Sequence, residues 1–144
     1  MAEPTKIAVL TSGGDAQGMN AVVRAVVRTA IHEGAVPYAV HEGWKGAVEG
    51  GGLISELTWS DVSGILNEGG TAIGTARCAA FRERDGLRAA VGNFVSRGID
   101  RVVAIGGDGT LTGADQLREL WGELLAELVE RGEVAPEAAQ AHPR

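Results

Sequence analysis

The sequence is short of several things, and each shortage removes a class of function. It has one cysteine, Cys78, so no intrachain disulfide can form, which agrees with a reducing compartment. It lacks a basic surplus: 13 Lys and Arg stand against 19 Asp and Glu, a net charge of −6. General affinity for nucleic acid needs basic surface that releases counterions, so that class is disfavoured, while a local basic pocket for phosphate is not. No apolar run approaches the roughly 20 residues that span a bilayer. The opening "MAEPTK" is too polar to begin a signal peptide. The expectation is a cytoplasmic protein that binds neither nucleic acid nor membrane.

Familiar catalytic signatures are missing too. No G-x-x-x-x-G-K-[ST] run exists, so there is no P-loop, and no G-x-G-x-x-G opens a helix. No His/Cys group has zinc spacing. Ser12 precedes glycine, but no G-x-S-x-G elbow surrounds it.

Glycine, by contrast, is plentiful. There are 22, many in runs: Gly13-Gly14, Gly50-Gly51-Gly52, Gly69-Gly70 and Gly106-Gly107. Such runs serve tight turns, or backbone that must approach a ligand closely. For residues 50–52 both readings stand; the two Gly-Gly-Asp sites favour the second.

With 144 residues the chain fits one domain with a real core. Residues 6–11 read as a strand buried on both faces, since Ile7, Ala8, Val9 and Leu10 are consecutive and apolar. Met19, Val22, Val23, Val26, Val27, Ala30 and Ile31 follow helical spacing, and Gly34 ends that helix. "AVPYAVHEG" reads as the next strand. "TWSDVSGILNEGG" reads as a short helix with Ser60 as its N-cap. "FRERDGLRAAVGNFVSRG" reads as a helix closed by Gly98, and "DRVVAI" as another buried strand. Leu117, Leu120, Trp121, Leu124, Leu125, Leu128 and Val129 mark a long helix, followed by a turn and a weakly patterned tail. Strands alternating with helices predict an α/β fold: a parallel sheet with helices on both faces. In such sheets ligands bind beyond the carboxyl ends of the strands.

"TSGGDAQGMN" and "IGGDGT" both fall at such ends. A helix N-terminus has unpaired N–H groups and partial positive charge, and glycines before it let phosphate oxygens approach. That accounts for Gly13, Gly14, Gly106, Gly107 and Gly109. The aspartates would repel phosphate unless a divalent metal intervened, and Mg²⁺ is held by one or two carboxylates, waters and phosphates. Asp108 is the better metal candidate. Asp15 is the weaker, with helix capping as its alternative.

These residues resemble a known family. "LTSGGDAQGMNAVVRAVVR", "GGTAIGTARC", "FRERDG" and "IGGDGTLTGAD" are similar to the N-terminal region of ATP-dependent 6-phosphofructokinases. "AQGMN", "HEGW", "ARC" and the long acidic-leucine helix after residue 116 are closer to the eukaryotic-type branch. GGDGT alone occurs also in NAD and diacylglycerol kinases; the ordered set is far more specific. The resemblance implies that 1–144 is the N-terminal ATP-binding part, a truncated Rossmann-like lobe of phosphofructokinase type. It implies ATP contacts at Gly13, Arg77, Cys78, Gly107, Asp108, Gly109 and Thr110, with Asp108 as the Mg²⁺ ligand. Arginine suits phosphate because its fork of donors meets two oxygens; a solvated loop charge is the alternative for Arg77. In this family glycine at the position of Gly109 goes with ATP, and aspartate there goes with pyrophosphate. Arg24 and Arg28, one turn apart, match arginines that bind a phosphorylated effector in bacterial members; a solvated helix face is the alternative.

The resemblance also implies what is missing. The family's Thr/Ser-Ile-Asp-x-Asp segment supplies the carboxylate that takes the sugar proton, and no such segment occurs in these 144 residues. The sugar-phosphate arginines are absent as well. No catalytic base is therefore assigned, and the chain alone is expected to be inactive. The complete enzyme is expected to convert fructose 6-phosphate and ATP to fructose 1,6-bisphosphate and ADP in glycolysis, as a homo-oligomer, a tetramer by resemblance. The alternatives are a non-catalytic nucleotide-binding regulatory module and another GGDGT-type kinase acting on NAD or a lipid.

Overall fold

The computed structural model describes residues 2–143. Four strands form one sheet: β1 (Lys6–Thr11), β2 (Val36–Val40), β3 (Ile54–Glu56) and β4 (Arg101–Ile105), in the order β3-β2-β1-β4. β1 runs parallel to both β2 and β4, with Leu10 opposite Val40 and Thr11 opposite Ile105. β3 pairs antiparallel with β2. The helices are α1 (Met19–His32), α2 (Trp44–Glu49), α3 (Arg84–Val95), α4 (Asp108–Glu130) and α5 (Pro136–Ala141). None of them is long and apolar enough to cross a membrane.

The continuous apolar run of β1 serves two cores at once, because successive side chains leave a strand on opposite faces. Ala8 and Leu10 pack with Val40, Trp44, Leu87, Phe94, Leu124 and Leu128. Val9 and Ala39 pack with Val23, Val27, Val62, Ile65 and Ile73. One face of the sheet thus carries α2, α3 and α4, and the other carries α1 with the segment 57–73. Helices cover both faces, as the alternation of elements predicts.

The structure corrects several local expectations. The sheet is mixed rather than wholly parallel, because β3, which like α2 has no clear pattern in the sequence, pairs antiparallel with β2. The Gly50–Gly52 run is a tight turn into a 3₁₀ helix (Gly51–Leu53) leading to β3. Gly50 has φ +64, and a side chain there would collide with Asn93. No α-helix forms over 58–68, and Ser60 caps nothing. Instead the Asp61 carboxylate accepts from the Thr58 N–H and hydroxyl at 2.6 and 2.7 Å, closing a turn. Only a 3₁₀ helix (Ile65–Asn67) follows. Among the described residues β4 stands at the edge of the sheet and is half-buried, not covered like β1. The helix read from "FRERDG" starts later, at Arg84, after a 3₁₀ helix over Ala79–Arg82; Gly98 does close it, at φ +71. The long helix marked by Leu117 through Val129 does follow the second Gly-Gly-Asp, opening at Asp108.

α3 and α4 are also tied by charge. Arg84 Nε donates to Glu127 Oε1 at 2.8 Å, and Arg88 Nη1 donates to Glu127 Oε2 at 3.1 Å. These hydrogen bonds hold the Glu127 carboxyl below the usual carboxylate range and raise Arg84; Arg88 is raised first by its hydrogen bond to Asp85 and then by the one to Glu127. A lowered carboxylate pKa stabilises the fold above its unfolded value, and that contribution disappears as pH falls through the folded value. Replacing Glu127 with Gln should therefore lower the urea midpoint near pH 7. Wild type and variant should converge as pH drops below about 4, where a free glutamate protonates. A gap that stays constant from pH 7 to pH 3 would show that ionisation of Glu127 is irrelevant. In the core, Leu124 is fully buried. Leu124→Ala should cost about 2–5 kcal/mol in urea unfolding.

Candidate functional site

Two parallel neighbours, β1 and β4, end level with each other. The Ser12 N–H donates to the Ile105 carbonyl at 3.0 Å, so pairing continues one residue past the strand. Both chains then enter Gly-Gly-Asp, and the two turns lie side by side. Gly13 has φ +88, a conformation that side-chain-bearing residues rarely adopt. At Gly106 the constraint is space: a Cβ there would strike Thr110 Oγ1 and lie 2.5 Å from the Ser12 carbonyl oxygen. Thr110 is 4% exposed, and its hydroxyl sits beneath both turns, 3.6 Å from where a Cβ on Gly13 would stand.

Above the turns there is room. A Cβ on Gly14, Gly107 or Gly109 would meet no protein atom within 4 Å. Asp108 opens α4 and is exposed, as are Gly107 and Gly109. At the start of this 23-residue helix the Thr110 and Leu111 N–H groups donate to the Gly107 carbonyl at 3.0 and 3.1 Å, and those of Asp108 and Gly109 have no backbone acceptor among the described residues. The site is an open shelf and not a cavity. Two hollows, of about 300 and 420 Å³, lie elsewhere: one between α1, β3 and the segment 57–73, the other between β4 and α4.

A loop over 68–78 forms the side wall. Thr75 Oγ1 donates to the Gly13 carbonyl at 2.6 Å. Thr11 Oγ1 meets Thr71 Oγ1 at 2.7 Å and donates to the Gly74 carbonyl at 3.0 Å. The Glu42 N–H donates to Ile73 O at 3.0 Å. Glu42 has φ +61, and a Cβ on Gly74 would lie 2.6 Å from Glu42 Oε1. Arg77 follows two residues after Thr75 and is exposed, while Cys78 is half-buried against the core. The loop turns back through Phe81, which stacks on Trp44 with ring centroids 4.2 Å apart.

The remaining candidates separate from this arrangement. Asp15 does not cap α1: Gly18 holds the N-cap position, and no side chain caps there. Asp15 is exposed, with Oδ2 turned toward Gly70. Arg28 lies over the Trp59 ring, 4.5 Å from its centroid, and Nη2 donates to Ser63 Oγ at 3.3 Å. Arg28 thus engages residues 59 and 63, outside the loop that carries Arg77, while Arg24, one turn earlier on α1, is half-buried. Among the described residues no three metal-ligating side chains cluster.

Sequence reasoning passed over Asn20, Thr11, Thr75 and Glu42. One signal was available: Asn20 is a polar residue at the start of the apolar stripe of α1, and it is 2% exposed.

A sheet covered on both faces, with paired glycine turns at adjacent strand ends, defines an α/β protein of the strand-end-site class. The family model for phosphofructokinase matches residues 6–132, and the chain belongs to that family. It is 57% identical over 137 residues to an ATP-dependent 6-phosphofructokinase of Aspergillus niger, covering 95% of this chain and 18% of the relative. It is 58% identical over 133 residues to the muscle-type enzyme of Sus scrofa, covering 92% and 17%. A solved phosphofructokinase structure from Saccharomyces cerevisiae superposes with a TM-score of 0.95 at 53% identity, covering 97% of this chain and 19% of that one. The chain therefore spans less than a fifth of the length of these relatives.

The steric difference between neighbouring glycines is testable. Gly106→Ala should cost about 1–3 kcal/mol in urea unfolding, because the added methyl cannot avoid the Ser12 carbonyl. Gly107→Ala should stay within roughly 0.5 kcal/mol of wild type. Equal effects would refute the packing described at Gly106.

Proposed function

We propose that this chain is the Mg-ATP-binding part of an ATP-dependent 6-phosphofructokinase, the glycolytic enzyme that phosphorylates fructose 6-phosphate to fructose 1,6-bisphosphate. The observation that carries this reading is the adjacency of the two Gly-Gly-Asp turns, with open space above Gly14, Gly107 and Gly109. The names of the relatives support the activity.

In this reading the phosphate chain of ATP lies along the shelf. Backbone N–H groups at Gly13, Gly107 and Gly109 and the α4 N-terminus meet its oxygens, as helix N-termini do with phosphate. Arg77 adds a forked charge from the side wall, and Cys78 lies next to it. Thr110, buried beneath, contributes through its backbone and by holding the turns together. Asp108 would hold Mg²⁺, which when bound neutralises charge on the phosphates. Gly109 keeps the approach to the shelf free of a second carboxylate. Arg24 and Arg28 form a separate cationic pair on α1, offered here as an effector site.

The acceptor half is assigned to parts of the enzyme outside these residues, because no Thr/Ser-Ile-Asp-x-Asp segment occurs here. The chain alone then binds nucleotide without transferring phosphate to the sugar. The complete enzyme is proposed to be a cytoplasmic homo-oligomer.

Two measurements test this. Titration calorimetry of the chain with Mg-ATP should give saturable binding, and Arg77→Ala should weaken it about tenfold or more, the loss of a charged hydrogen bond. Gly109→Asp should weaken it at least as much, while circular dichroism stays native because nothing crowds that position. Binding unaffected by both variants would refute the shelf as the nucleotide site. In a coupled assay the purified chain should show no fructose 6-phosphate turnover; measurable turnover would refute the assignment of the acceptor half elsewhere.

A further inference from the structure

We propose that Asn20 is a positioning residue for the nucleotide shelf: its side chain holds the 68–78 loop, and through it Arg77, level with the first glycine turn. The inference rests on the nucleotide reading of Arg77 given above. It concerns a residue that makes no direct approach to the shelf.

Asn20 is the second residue of α1 and is 2% exposed. A buried carboxamide costs free energy unless its donors and acceptor are matched. Here all are used on one segment. Nδ2 donates to the Glu68 carbonyl at 3.1 Å and to the Gly69 carbonyl at 3.4 Å. Oδ1 accepts from the Ala72 N–H at 2.6 Å. The three contacts span five residues of a segment that has no strand of its own over 68–78. They substitute for the backbone partners that such a loop otherwise finds in water.

The chemistry selects asparagine. Two carbonyls need a donor and one N–H needs an acceptor, and a carboxamide presents both from one planar group. Aspartate has the same shape but would face the two carbonyls with a carboxylate. Downstream of this clamp the loop touches Thr11 through Thr71 and Gly74, then Gly13 through Thr75. Arg77 is the second residue after that last contact. α1 enters directly after the first glycine turn, so one helix start fixes the height of both the turn and the side wall.

The test uses the chain itself. In wild type the Ala72 amide, although its residue is exposed, should exchange at least about a hundredfold slower than an unstructured amide. Asn20→Asp preserves volume, so a role in filling space alone predicts no change. The positioning role predicts about tenfold weaker Mg-ATP binding, because the donors to the Glu68 and Gly69 carbonyls are lost while the Ala72 N–H keeps an oxygen acceptor. Val27→Ala, buried further along α1, serves as the stability control. It should lower the urea midpoint while leaving Mg-ATP affinity within twofold of wild type. An unprotected Ala72 amide in wild type overturns the proposal, and that result needs no variant to fold. Wild-type affinity in folded Asn20→Asp overturns it too. A wild-type chain that binds no Mg-ATP refutes the nucleotide reading instead, and the clamp then stands or falls on the Ala72 exchange alone.

Discussion

The parallel pairing of β1 with β4 is the constraint on which the candidate site depends. These strands are 90 residues or more apart in sequence, yet Thr11 stands opposite Ile105 and Ser12 extends the pairing to the Ile105 carbonyl. A shift of the register by one residue would exchange the two faces of β4 and separate the turns. With this register, Gly13 and Gly106 both come to rest on the hydroxyl of Thr110. The shelf is thus a packing consequence of strand pairing before any ligand is considered.

What holds that register is burial on both faces of the sheet. β1 sends Ala8 and Leu10 to one core and Val9 to the other, each fully buried. Slippage would place residues of both sets in the wrong company. The stacked rings of Trp44 and Phe81 then join the loop that follows Arg77 to the helix that follows β2. The salt-linked pair of α3 and α4 steadies the far side, where Glu127 bridges two arginines. Those arginines and Glu127 are partly exposed, so their attraction is weak beside the apolar packing. At the site, the 68–78 wall depends on side-chain hydrogen bonds from Thr11, Asn20 and Thr75.

Much of this was legible in the sequence, and the failures have physical causes. β1, α1, β2, α3 and α4 have strong apolar patterns, and each formed. The segment 58–68 carries a plausible cap and several apolar residues, but Gly64 and the Asp61 turn divide it into pieces too short for a helix. β3 has only three residues, below the length at which alternation is a signal, and it exists because β2 offers it an edge. α2 is six residues long with glycine at both ends, and Trp44 anchors it through tertiary stacking. At the site, the glycines and Asp108 were visible as turn-and-helix-start chemistry. Asp15 was ambiguous because capping depends on geometry, and the structure gives the cap position to Gly18.

The sequence by itself determined the local events: which runs become strands, where glycine permits a turn, which residue types could meet phosphate, and the ordered motifs that carry the family resemblance. Those follow from periodicity, backbone freedom and side-chain chemistry within a few residues. Only the tertiary structure decided that the two Gly-Gly-Asp turns are neighbours, that β4 stands at the edge of the sheet among the described residues, and that Asn20 faces the loop rather than the core. Each of these depends on strand order and on contacts across tens of residues. Such contacts form where burial on both faces and hydrogen-bond matching agree, and no local pattern encodes that agreement.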